Sequence, residues 1–501
     1  MPVYRRERLP QWRDDPAGRG DTAEGEIMGV ESGITELERV FALQRSLTRQ
    51  QVSRSYEARM DLLARLGKMF ETHEDELIDA VAADFGMRSR YETILTDIML
   101  VLSDVKFARR HLKQWMKPRS VKTDTFGLPG SSRLIPQPLG VVGILGTWNY
   151  PYGTVFAGAA GALAAGNRII AKPSEISAHS AEISQSLVRK YFSEEEMAVV
   201  TGGPDVAQQM TSLPFDHILF TGSPNTGKKV AQSAAANLTP VTLELGGKCP
   251  IIIDKSAHFP EVAQSLVFGK LLNAGQTCIG VDYAFVPEGS VEDFVSALAR
   301  QVHKCFGEIE ANQDYTSIIN HRQFDRLRGL VDDARAKGAG VTNLAGSGDG
   351  MFEAAHRIAP LVVTNVASDM GLMQEEIFGP ILPILTYRTE DEVIEYINAG
   401  ERPLALYYFG KDSAGRRKIL GETHAGGVTL NGTVMHVFQR RLPFGGIGQS
   451  GIGSYLGPGS FERFSHLKPV FSQSKISVLS QLLPPYSSKT GRLLNLFRKL
   501  L

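Results

Sequence analysis

Between Leu139 and Thr221 four short runs rich in aliphatic and β-branched residues alternate with stretches of helical period: Val141 to Leu145, Arg168 to Ala171, Val199 to Thr201 and His217 to Thr221. Strands separated by helices cannot close as hairpins; they cross over and lie parallel, with the helices laid on the sheet. That restricts the chain to an α/β fold, in which ligands bind outside the carboxyl ends of the strands. Thr147-Trp148-Asn149-Tyr150-Pro151 follows the first run and falls at that end. Phe156 to Ala165 is apolar and small-residued, but at about ten residues it is too short to cross a bilayer and is expected as a buried helix.

Upstream, Thr72 and Asp75 are spaced as a capping box ahead of Leu77, Ile78, Val81 and Ala82, with Gly86 placed to end that helix. Ile94, Ile98, Val101, Leu102 and Val105 carry the helical period onward before Pro118. Residues 1–33 are polar and lack the apolar core of a secretory signal, while Asp14, Asp15 and Glu24 argue against a transit peptide, so a disordered extension is expected. Lys plus Arg and Asp plus Glu stand at 54 each, which leaves no basic footprint for nucleic acid. Three cysteines in 501 residues form no disulfide framework and suit a reducing compartment, the cytoplasm. The eleven histidines show no metal-ligand spacing, so no metal is expected.

Cys278 in Gly-Gln-Thr-Cys-Ile-Gly follows Glu244 in Leu-Glu-Leu-Gly-Gly-Lys. A thiol attacks as thiolate, and at a reference pKa of about 8.5 little is ionised at neutral pH, so such a site has to activate it. The Asn149 amide is a candidate donor to an oxyanion. Lys172 and Glu175 in Lys-Pro-Ser-Glu follow the second strand, where a cation and a carboxylate can meet ribose hydroxyls. Gly222 to Lys228 nearly spells a phosphate-binding loop, but Lys229 stands where that loop needs Ser or Thr. A strand followed by Gly222-Ser223 and then a helix still offers N–H groups and a positive helix end to a pyrophosphate. Gly446-Ile447-Gly448-Gln449-Ser450-Gly451 fits a dinucleotide fingerprint in letters only, since no clear strand precedes it, and Gly346 to Gly350 reads as a flexible loop.

Together, Leu243 to Lys248 and Gly275 to Cys278 resemble the paired active-site signatures of the aldehyde dehydrogenase superfamily, and are most similar to its class 3 branch, which includes the fatty aldehyde dehydrogenases. The resemblance runs from about Leu37 to Phe471. It implies Cys278 as nucleophile, Glu244 as general base, and an oxyanion hole from Asn149 and the Cys278 N–H. It further implies Lys172 and Glu175 on the adenosine ribose, Trp148, Gly222, Ser223 and Gly227 along the cofactor, Glu376 on the nicotinamide ribose and Phe378 against the ring, the last two within Gln-Glu-Glu-Ile-Phe-Gly-Pro. The acidic Glu175 favours NAD, although the branch takes NADP too.

The implied fold has a Rossmann-like parallel-sheet cofactor domain over 34–241 with a return near 431–464, an α/β catalytic domain over 242–430, and a small bridging β element from 117–137 and 465–475 that supports a homodimer. The implied reaction is oxidation of an apolar aldehyde, medium- or long-chain aliphatic or apocarotenoid, to the carboxylic acid through a cysteine thioester. The alternatives are a small aromatic or short-chain aldehyde, a CoA-acylating dehydrogenase, against which Glu244 speaks, and a nucleotide hydrolase, against which Lys229 speaks. In the tail, residues 476–501, Leu493, Leu496, Phe497, Leu500 and Leu501 fall on one helical face and Arg492, Arg498 and Lys499 on another. Such a segment suits reversible contact with an anionic membrane surface, a cap on the substrate mouth, or packing on a dimer partner.

Overall fold

The computed structural model describes residues 23–476 and 482–500. The expected disordered stretch to residue 33 is corrected in part: a helix already runs over Ala23–Gln50, while residues 1–22 lie outside the described residues. From residue 33 on, this helix supplies Leu37, Val40 and Phe41 to one face of the first sheet.

That sheet has six strands in the order Gly451–Ile452, Val241–Glu244, His217–Thr221, Val141–Leu145, Arg168–Lys172, Met197–Val199. All pair in parallel except the first, which runs antiparallel to Val241–Glu244. The strand expected at Val199 to Thr201 is displaced to Met197–Val199, because Met197 faces Ile169 in the ladder and the chain leaves the sheet after Val200. The chain builds outward from Val141–Leu145 to one edge, then returns to its other side at His217–Thr221. The carboxyl ends of these two neighbours therefore diverge into a crevice. Trp148 and Asn149 follow one of them and Gly222 and Ser223 the other.

Helix Gly158–Ala165 is buried along its whole length, as its composition requires. Its small residues bring it close to its neighbours: a Cβ at Gly158 would come within 2.4 Å of Leu219 Cδ2, and one at Gly161 within 2.2 Å of Ser460 Cβ. The capping box at Thr72 and Asp75 does not form. Thr72 is the last residue of helix Tyr56–Thr72, and His73 heads helix Glu74–Phe85 with no side-chain cap to the backbone; its Nδ1 meets Glu76 Oε1 at 2.6 Å instead. Gly86 does end that helix, at φ 74°.

A second sheet of seven strands runs Gly340–Asn343, Leu361–Thr364, Ile381–Tyr387, Tyr283–Pro287, Pro250–Ile253, Ala405–Phe409, Gly427–Leu430, parallel but for its first member. Five residues, 245–249, carry the chain from Glu244 in the first sheet to Pro250 in the second, so the two sheets adjoin at that segment. Arg119–Val121, Ser131–Pro138 and Ser465–Ser472 form a separate antiparallel sheet. The tail helix Ser488–Leu500 docks on the turn Thr125–Gly127 between that sheet's first two strands: the Phe497 ring is buried against Phe126, with centroids 4.4 Å apart. Of the apolar face read from the sequence, Leu496 is instead exposed, and Leu501 lies outside the described residues. Among the described residues no helix is long and apolar enough to cross a membrane.

Candidate active site

Cys278 stands where two clefts meet. On one side it lines, with Trp148, Asn149, Gly222, Ser223, Glu244, Glu376 and Phe378, a cleft of about 200 Å³ at the crevice of the first sheet. On the other it lines an apolar cavity of about 80 Å³ walled by Leu100, Leu272, Ile279, Val437, Phe438 and Phe444. Helix Phe259–Leu271 ends just before this segment, and Asn273 and Ala274 follow at φ 54° and 51°, a left-handed turn that reverses the chain into Gln276-Thr277-Cys278. Gln276 locks the turn, donating to the carbonyls of Asn273 at 2.9 Å and Ser317 at 3.0 Å and accepting from Ile319 N–H at 3.0 Å.

Burial pushes the Cys278 thiol up to about 12, with the Glu376 and Glu244 carboxyls adding to the rise; the backbone N–H groups of Ile279 and Cys278 act against it. A raised pKa means the thiol is protonated at neutral pH and the thiolate fraction climbs with pH. Alkylation by iodoacetamide, read on the peptide bearing Cys278 because Cys305 is also exposed, should therefore accelerate about tenfold per pH unit from 7 to 9. A rate already flat at pH 7 would show the thiol to be ionised in the resting protein.

Glu244 ends its strand and is pinned there by its own carbonyl, which accepts Gly222 N–H at 3.0 Å, and by pairing with Gly451. The side chain is 3% exposed, and neither carboxylate oxygen meets a hydrogen-bond donor among the described residues. Burial holds its pKa well above the usual carboxylate range, opposed by Arg463. A buried carboxyl without partners is costly, and general bases are tuned in this way. Asn149 is 2% exposed; its amide donates to the Gln276 carbonyl at 3.0 Å, which leaves a second N–H on the same nitrogen.

The Glu376 carboxylate lies so close over Gly246 that a Cβ there would fall 1.9 Å from Oε2. Its pKa is raised to about 8, first by burial and then by Asp282. Phe378, at φ 53°, sets its ring edge-on to Trp148 with centroids 5.4 Å apart. Ser223 caps helix Pro224–Ala235, accepting Thr226 N–H at 3.3 Å, so the positive helix end opens on the cleft that Gly222 and Ser223 line. Lys172 is buried and donates to Glu175 Oε2 at 2.9 Å; Glu175 lines a further cleft with Pro173, Thr201 and Pro204. Gly227 is not brought to these clefts: it is buried inside the helix, where a Cβ would come within 2.6 Å of Leu245 Cδ2, so packing accounts for it.

Residues 32–470 match the aldehyde dehydrogenase family. The chain is an aldehyde dehydrogenase. It is 45% identical to a probable coniferyl aldehyde dehydrogenase of Caulobacter vibrioides, over 86% of this chain and 90% of that one. It is 38% identical to aldehyde dehydrogenase family 3 member A2 of Pongo abelii, over 84% and 85%, in keeping with the class 3 branch. The solved substrate-bound state of Staphylococcus aureus AldH superposes with a TM-score of 0.87 at 36% identity, covering 92% of this chain and 99% of that one.

The dehydrogenase oxidises an aldehyde with NAD(P), and its clefts fit that cofactor: a capped helix end for phosphate, a carboxylate over Gly246 held open by the missing side chain, and a Lys–Glu pair at a separate cleft. Short motifs did not reveal what surrounds these groups. Arg88, Asp97, Asn273 and Tyr150 all bear on the site; the Tyr150 hydroxyl lies 2.5 Å from Thr277 Oγ1.

Proposed function

We propose that this dehydrogenase oxidises an apolar aldehyde through a thioester on Cys278, and the observation that carries the proposal is the partnerless buried carboxyl of Glu244 sharing a cleft with that thiol. The Cys278 thiol gives up its proton to solvent, the thiolate adds to the carbonyl carbon, and the oxygen takes up the negative charge beside the Asn149 amide and the Cys278 N–H. Bound NAD would supply the acceptor for the hydride of the tetrahedral carbon, whose oxyanion then closes to the thioester. Glu244 then takes a proton from a water that attacks the thioester, releasing the acid and the free thiol. A general base positioned in this way contributes on the order of 100- to 10,000-fold. Water is the acyl acceptor, in preference to CoA, because the partnerless Glu244 carboxyl shares the cleft with Cys278 and can take a proton from a water there.

Lys172 and Glu175 would hold the adenosine ribose, Gly222 and Ser223 the phosphates, and Glu376, Phe378 and Trp148 the nicotinamide half. The six-stranded sheet is then the cofactor domain, the seven-stranded sheet the catalytic domain, and the three-stranded sheet the bridging element of a cytoplasmic homodimer. Exposed Val121, Leu128 and Phe471 on or beside that element support self-association, and exposed Leu494 and Leu496 beside Arg492, Arg498 and Lys499 support reversible contact with an anionic membrane surface.

The substrate class follows from the cavity on the far side of Cys278. Among the described residues its side-chain polar groups are the hydroxyls of Thr96, Thr154, Thr277, Tyr150 and Tyr455 and the Cys278 thiol, with no charged group, so a charged or strongly hydrated aldehyde would lose its water without adequate replacement. Each methylene removed from water is worth about 0.8 kcal/mol, roughly fourfold in kcat/KM, until the cavity is filled. NADH formation across aldehydes from acetaldehyde to hexadecanal, with coniferyl aldehyde and a polyene aldehyde included, should show kcat/KM rising with apolar bulk. Preference for acetaldehyde or for a charged semialdehyde would overturn the substrate assignment.

A further inference from the structure

The side chains of Arg88 and Asp97 are wholly buried and meet at 3.2 Å. A buried ion pair is retained only where further hydrogen bonds satisfy it, so its other contacts are informative. Arg88 Nη1 donates to the Asn149 carbonyl at 2.8 Å, and Nη2 to Thr96 Oγ1 at 2.9 Å as well as to Asp97. The other oxygen of Asp97 accepts the N–H of Tyr152 at 3.0 Å and of Gly153 at 2.8 Å. The pair therefore grips residues 149–153 at both ends, by a carbonyl at one and by two N–H groups at the other. The guanidinium also lies over the Tyr150 ring, 5.0 Å from its centroid.

The local backbone is built for this grip. Asp97 sits in a π-helical turn, Ile94–Ile98, which packs on a second one, Gly153–Ala157. Such turns redirect side chains and gather at functional sites. Gly153 permits the approach, since a Cβ there would come within 3.3 Å of the Thr96 carbonyl. Asn273, in its left-handed conformation, supplies a second donor to the Asn149 carbonyl at 3.1 Å.

We infer that Arg88 and Asp97 are positioning residues that hold Asn149 where its amide meets the oxyanion formed at Cys278. The inference rests on the oxyanion reading of Asn149 given above. Arg88 touches neither sulfur nor substrate; it fixes the peptide carbonyl of the residue that does. Misplacement of a catalytic group by about 1 Å can cost on the order of 100-fold in rate.

The test is a set of double-mutant cycles on the holoenzyme: Arg88→Met, Arg88→Lys and Asp97→Asn, each alone and combined with Asn149→Ala. Asn149→Ala alone should lower kcat about 100- to 1000-fold. Arg88→Met and Asp97→Asn should each lower kcat about 10- to 100-fold, with Cys278 alkylation and the NAD-induced thermal shift retained. Arg88→Lys, which keeps the charge and loses the fork, should fall between wild type and Arg88→Met. In the Asn149→Ala background each should cost less than about threefold, since the group they position is gone. Full additivity would assign the pair to general stability and overturn the inference while leaving the oxyanion reading intact. No effect from Asn149→Ala itself would remove the oxyanion reading and the inference with it. Should Arg88→Met fail to fold, Asp97→Asn decides, because it keeps an acceptor for the Tyr152 and Gly153 N–H groups.

Discussion

Replacing Cys278 by alanine is expected to abolish aldehyde oxidation, a loss on the order of 10,000-fold or more in kcat, because removal of a covalent nucleophile leaves only binding and oxyanion stabilisation. Cofactor binding should persist, since Cys278 stands at the junction of the two clefts and carries neither wall alone. Initial rates of NADH formation and an NAD titration of thermal stability check both parts. The serine variant should recover little, as a hydroxyl is far less ionised than a thiol. If the alanine variant kept more than about a hundredth of the rate, far above what loss of a nucleophile allows, the reacting thiol would have to be sought elsewhere. Cys249 would then be the first place to look, since its Sγ donates to the Cys278 carbonyl at 3.5 Å.

Glu244→Gln should separate the two halves of the reaction. The amide keeps the shape of the carboxyl but cannot take a proton, so acylation continues and hydrolysis stalls. Rapid mixing should give one NADH per site at close to the normal rate, followed by turnover slowed about 100- to 10,000-fold. The pH dependence has a definite sign. Burial holds the Glu244 pKa well above the usual carboxylate range, and the base acts only when ionised, so hydrolysis should quicken as pH rises and this limb should vanish in the glutamine variant.

The first sheet was legible because its strands are centred on apolar runs such as Val141–Leu145, as burial on both faces demands. Val141–Leu145 and His217–Thr221 stand where the periodicity puts them. Met197–Val199 was misplaced by two residues, because Val199, Val200 and Thr201 have strand-forming side chains while the hydrogen-bond ladder with Arg168–Lys172 begins at Met197. The capping box at Thr72 failed for a related reason: Tyr56–Thr72 extends to that very residue, and a side chain inside one helix cannot cap the next.

Most motif residues converge on one cleft, and part of that convergence was readable because Glu244 ends its strand, Gly222 and Ser223 directly follow one, and Trp148 and Asn149 follow another within four residues. Gly227 did not follow, since its letter pattern reflects helix packing on Leu245. The Arg88–Asp97 clamp was hidden because it joins positions 61 and 52 residues from Asn149, with no local pattern of its own.

Intact-mass and peptide mapping of Glu244→Gln, quenched in acid after one turnover with NAD and an apolar aldehyde such as decanal, bears most directly on a thioester at Cys278 awaiting Glu244. The expected result is the mass of the acyl group, on the peptide bearing Cys278, at close to one per chain and in step with the NADH burst. A full burst with no adduct on that peptide, or an adduct that clears as fast as in the wild type, would contradict it.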